Sequence, residues 1–115
     1  PNTLKLNKSS FKSALHRMSI LSSEQYKGVK LTLGTSSLDL TTTNPLQEKG
    51  EDNIDCTYNG EPMEVGFNLA YLLEVIEVID TDNVQLRFGS QDTGCLVTSD
   101  ESTPKSKYII MPMRV

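Results

Sequence analysis

The sequence predicts an α+β fold: two strand, helix and three-strand repeats, with two helices packed on antiparallel sheets. Three observations carry that expectation. Several short runs alternate apolar and polar residues, as half-buried strands do, and two longer segments carry apolar residues at helical spacing. The second half of the chain then repeats the order of the first, with Val29, Leu31, Leu33 and Gly34 answered by Val84, Leu86, Phe88 and Gly89 at a constant offset of 55.

Taken in order, "TLKLN" (3–7) reads as a short strand. "SSFKSALHRMSIL" (9–21) reads as a helix capped by Ser9 or Ser10, with Phe11, Ala14, Leu15, Met18 and Leu21 on one face. Its opposite face carries Lys8, Lys12 and His16, with Arg17 adjacent. "GVKLTLG" and "SLDLTTT" are two alternating runs around the turn-forming Gly34, Thr35 and Ser36, a β-hairpin. Residues 44–53 read as a polar loop, and "IDCTYNG" as a strand running into an Asn-Gly turn. "PMEVG" then opens the second copy. "FNLAYLLEVIEVID" is helical with Leu69, Leu72, Leu73, Ile76 and Ile79 on one face, and "NVQLRFG", "CLVTSD" and "KYIIMPM" are its three strands. Each half has one helix and a mostly antiparallel sheet and is expected to bury one sheet face under its helix, and a pseudo-twofold between the halves would put the two helices side by side against continuous sheet.

Composition bounds the function. The 115 residues, 37% hydrophobic and 23% charged, fit one ordinary domain. No apolar run approaches the roughly 20 residues of a membrane helix, and no signal-peptide pattern opens the chain, so a cytoplasmic setting is the default expectation. The start at Pro1 points to a fragment of something longer. Cys56 and Cys95 lack metal-type spacing and read as packing residues. One His, no catalytic triad, no Gly-rich phosphate loop and no ligand cluster leave no support for an enzyme, a cofactor or a metal. The acids Glu48, Glu51, Asp52 and Asp55 lack calcium-loop spacing, and an acidic-site hydrolase is the least supported alternative. The net charge of −4 argues against a generic nucleic-acid binder. Yet residues 1–23 hold four bases and no acid, while the remainder holds seven bases and all 15 acids. Such asymmetry points to a polyanion-facing surface or, equally, to a solvated basic helix face.

The duplicated pattern, "GFNLAYLLEVI" at the start of the second half, "ILSSEQYKGVKL" at 20–31 and the ending "YIIMPMRV" together resemble the C-terminal domain of the bacterial DNA polymerase III beta subunit, the sliding clamp. The resemblance covers nearly all of the chain and makes it a single DNA-clamp domain over 1–115, the third of a three-domain subunit. It implies a homodimeric ring with helices lining a channel around duplex DNA, and no catalytic activity. Polymerases, the clamp loader and repair proteins would dock through short peptides.

Position by position, the resemblance places peptide contacts at Asn68, Tyr71, Ile109, Met111, Pro112, Met113 and Arg114. The chemistry agrees: Met adapts to varied partners, Asn both donates and accepts, and Arg offers a fork of donors. Without the resemblance, the same apolar residues read as core and Asn68 as a helix cap. The resemblance also turns Lys8, Lys12 and Arg17 toward DNA, where mobile charge attracts phosphate without reading sequence. Glu74 and Glu77, exposed on the second helix, work against strong DNA binding. Ile20 and Leu21, with a loop bearing Gln47, Glu48, Glu51 and Asp52, would form the subunit interface with the neighbour in the ring, or that loop is a solvated turn. Lys49 and Gly50 interrupt the acidic run, a departure from the family pattern. A freestanding interaction scaffold without a DNA role is the alternative from another class.

Overall fold

A computed structural model describes residues 2–20, 28–43, 48–89, 93–101, 103–104 and 107–113. The elements are β1 (Thr3–Asn7), α1 (Lys8–Ser19), β2 (Gly28–Leu33), β3 (Ser37–Thr43), β4 (Lys49–Asp55), β5 (Thr57–Asn59), β6 (Met63–Asn68), α2 (Leu69–Val78), β7 (Asn83–Phe88), β8 (Cys95–Ser99) and β9 (Lys107–Ile110). They form a five-stranded sheet in the order β5-β1-β7-β8-β9 and a four-stranded sheet in the order β4-β3-β2-β6.

Alternation explains the burial. Tyr58, Leu4, Leu86, Val97 and Tyr108 are successive cross-strand partners, an apolar row through all five strands. In the other sheet Ile54, Leu38, Leu33 and Met63 make the equivalent row. The helices cover these rows: α1 packs on α2, β1, β3 and β4, and α2 packs on β6 and β9. Phe11, Ala14, Leu15 and Met18 from α1 join Leu69, Leu72 and Ile76 from α2 in one core. Leu73, expected on that face, is only half-buried against it.

The repeat holds, but not as two self-contained halves. The first strand of each copy pairs with the other copy: β1 lies against β7, and β6 against β2. Neither sheet can form from one half alone. Long-range pairing of this kind is made by backbone groups that every residue carries, so side-chain pattern cannot report it.

Three other expectations change. Asn7, not Ser9 or Ser10, caps α1, accepting from the Ser10 N–H at 2.9 Å. The stretch read as a loop over 44–53 contains most of β4, an edge strand paired with β3. "IDCTYNG" divides at Cys56: β4 ends in one sheet and β5 begins in the other, and the Cys56 N–H donates to Ser36 O at 3.1 Å during the crossing. The Asn-Gly turn follows β5. Gly60 there has φ 155°, and a Cβ on it would overlap Asn2, so only glycine fits. Neither described helix is long and apolar enough to cross a membrane.

Candidate functional site

Asn68 ends β6 and caps α2, its Oδ1 accepting from the Tyr71 N–H at 3.1 Å. The cap fixes where the helix starts, and helical spacing then sets Asn68, Tyr71 and Val75 along one side of it. The opposite wall comes from the chain end. β9 stops at Ile110, Pro112 interrupts pairing, and the Met113 N–H then donates to Gly66 O of β6 at 2.8 Å. This single bridge carries the tail from the edge of one sheet to the edge of the other, alongside the start of α2.

Between the two walls lies an open groove of about 500 Å³, lined by Asn68, Tyr71, Glu74, Val75, Ile109, Ile110, Met111 and Met113. Tyr71, Ile109 and Met111 are each more than 60% exposed and Met113 is 39% exposed. Large apolar side chains gathered at the surface mark a binding surface more often than a fold requirement. Asn68, Tyr71, Ile109, Met111 and Met113 are brought together along this one groove. Pro112 is half-buried and outside the lining, acting through the backbone, and Arg114 lies outside the described residues. Glu74, Val75 and Ile110 also line the groove, although no sequence pattern marks them for it. Gly94 supports the same wall: a Cβ there would come within 2.8 Å of Ile109 Cγ2 and 3.2 Å of Met111 Sδ. It lies 15 residues from Ile109 along the chain, so no local signal links the two.

The basic face of α1 is less free than its sequence suggests. Lys8 Nζ donates to the carbonyls of Glu77 and Ile79 at the end of α2, and the Lys8 N–H to Asp82 O at 2.8 Å. It thus supplies the cation that α2 lacks in its own last turn. Lys12 Nζ and His16 Nε2 lie 3.8 and 3.6 Å from Glu77 Oε1, and Arg17 pairs with Asp52 at 2.5 Å.

The residues expected to meet a neighbouring protomer are only partly gathered. Ile20 is 80% exposed just past α1. Glu48 and Glu51 are exposed at or on β4, while Asp52 turns toward α1. Leu21 and Gln47 lie outside the described residues. No group of three or more metal-ligating side chains occurs among the described residues. Cys95 is buried, which pushes its thiol up to about 12, and the half-buried Cys56 is raised by burial and by the neighbouring Asp55 carboxylate. Both pack as protonated thiols.

The sequence profile of the family described as "DNA polymerase III beta subunit, C-terminal domain" matches residues 1–114. The beta sliding clamp of Vibrio cholerae is 33% identical over 113 residues, covering 98% of this chain and 31% of that protein. That of Escherichia coli K12 is 36% identical over 104 residues, 90% of this chain and 28% of that one. Among solved structures, the DNA polymerase sliding clamp of Pseudomonas aeruginosa with ligand superposes with a TM-score of 0.93 at 34% identity, over 99% of this chain and 31% of its own. The DnaN sliding clamp of Bartonella birtlesii bound to griselimycin gives 0.94 at 31% identity, over 100% and 31%. The chain therefore spans less than a third of the length of these relatives. With profile, identity and fold in agreement, the chain belongs to the C-terminal domain family of the DNA polymerase III beta subunit.

Proposed function

We propose that this chain is the third domain of a sliding clamp, a non-catalytic tether that docks short peptides of replication and repair proteins and helps close a dimeric ring around duplex DNA in the cytoplasm. The observation that carries the reading is the exposed apolar groove between α2 and the chain end. An extended peptide needs apolar pockets for its anchors and a few fixed polar groups for its backbone. Tyr71, Ile109, Met111 and Met113 provide the first, and Asn68 provides the second. Met side chains let one groove accept several sequences.

Ring closure would use Ile20 with the acids at and along β4, Glu48 and Glu51 being exposed to steer a basic neighbour. DNA would face Lys8, Lys12 and Arg17. The carboxylates that pair with Lys12 and Arg17 reduce the net attraction, although exposed ion pairs exchange readily with other anions, while Lys8 is held by carbonyls at the end of α2. Weak, sequence-independent attraction is what a sliding ring needs.

The test is a titration of the chain with a fluorescent clamp-binding peptide. Saturable binding that Tyr71→Ala and Met113→Ala both remove is the expected result. Binding indifferent to both would overturn the groove assignment.

A further inference from the structure

The groove carries one charged side chain among the described residues that line it, Glu74. Glu74 is exposed and stands three residues after Tyr71, so it shares that face of α2 about 4.5 Å further along the axis. The next acid on the helix, Glu77, is flanked by Lys12 and His16. Glu74 has no ion pair of this kind among the described residues.

A carboxylate beside an apolar groove penalises most ligands. A peptide that covers the groove strips water from Glu74, which costs free energy unless a cation arrives with it. An acidic neighbour adds repulsion. We propose that the groove selects by charge, taking an extended peptide whose apolar anchors sit beside Tyr71 and Met111 and whose flanking residue is Lys or Arg, held by Glu74. At roughly 3.3 Å per extended residue, that basic residue stands one or two positions from the anchor. The proposal rests on the docking reading above and adds the class of peptide preferred.

Two fluorescent peptides with identical leucine anchors, one flanked by Lys and one by Glu, test it by titration into the chain and into Glu74→Gln. The Lys peptide should bind about two- to fivefold more tightly at low salt, the range of an exposed ion pair. The preference should vanish in Glu74→Gln and shrink in about 0.5 M salt. Equal affinities, or a preference that survives Glu74→Gln, would overturn charge selection while leaving docking intact, provided Tyr71→Ala still removes both. No binding of either peptide, or binding insensitive to Tyr71→Ala, would remove the docking reading and the selection with it. Glu74 is exposed, and a thermal melt of Glu74→Gln would show an intact fold.

Discussion

Arg17 of α1 donates from Nε to Asp52 Oδ2 on β4 at 2.5 Å, and its Nη2 lies in ion-pair contact with the same oxygen, also at 2.5 Å. Two residues that the family resemblance implies for different surfaces, one for DNA and one for a neighbouring protomer, are thus partners within the domain. Asp52 occupies the cross-strand row completed by Leu40, Leu31 and Val65. A carboxylate in that place on an edge strand discourages pairing with a second edge. Arg17 neutralises it from α1.

From this pair, a double-mutant cycle with Arg17→Ala and Asp52→Ala should show a coupling of about 0.2–1 kcal/mol in denaturant melts, weakening with salt, because the guanidinium is largely exposed. Asp52→Leu should keep the fold but raise self-association. A sedimentation profile unchanged from that of the wild type would refute the role given to the inward charge.

The groove separates binding from folding. Tyr71→Ala removes an exposed ring and should change stability by no more than about 0.5 kcal/mol while removing peptide binding. Leu72→Ala, one residue on but fully buried, should cost about 2–5 kcal/mol. Gly94→Ala should weaken peptide binding several-fold by displacing Ile109 and Met111. Equal stability losses for Tyr71→Ala and Leu72→Ala would show that the ring belongs to the core.

Lys8 fastens the start of α1 to the end of α2. Lys8→Met should therefore lower stability by about 0.3–1 kcal/mol, the worth of a cation at a helix C-terminus, with a matching fall in Tm. Lys12→Ala, whose partner Glu77 is exposed, should leave Tm nearly unchanged. Any loss of DNA association common to both variants is then attributable to charge, and a loss confined to Lys8→Met to the helix contact.

Acid sensitivity should centre on Asp100. Its carboxyl is held below the ordinary value of 3.8 by the Gln85 amide, which donates at 2.7 Å, and then by Lys5 at 3.4 Å. A depressed folded-state pKa means that this stabilisation is present above the unfolded value and is lost as pH falls from there through the folded value. Asp100→Asn should flatten the stability profile below about pH 4 and leave its slope near neutrality unchanged. An acid limb identical to wild type would mean that other carboxylates govern it.

The alkaline limb has the opposite sign. Cys95 is raised from 9.0 to about 12, so its contribution is complete below 9 and falls as pH rises toward 12. Alkylation at pH 8 should modify the half-buried Cys56 first and reach Cys95 only on unfolding. Rapid labelling of Cys95 in the native protein would contradict its burial.

Whatever depends on neighbours along the chain is legible in the residues themselves. The two amphipathic helices, the hairpin at Gly34–Ser36, the duplication and the apolar character of the ending all follow from local spacing and turn chemistry. Residues 107–113 read as a strand, and the break at Pro112 follows because proline cannot donate. Long-range packing settled the remainder. The exchange of β1 and β6 between copies depends on backbone hydrogen bonds that leave no trace in side-chain pattern. β4 is hidden because an edge strand reading "KGEDNID" buries only Gly50 and Ile54, too little apolar alternation to stand out. The same holds for charge: Lys8, Arg17 and Asp52 look free along the chain, and only packing brings each to the group that holds it.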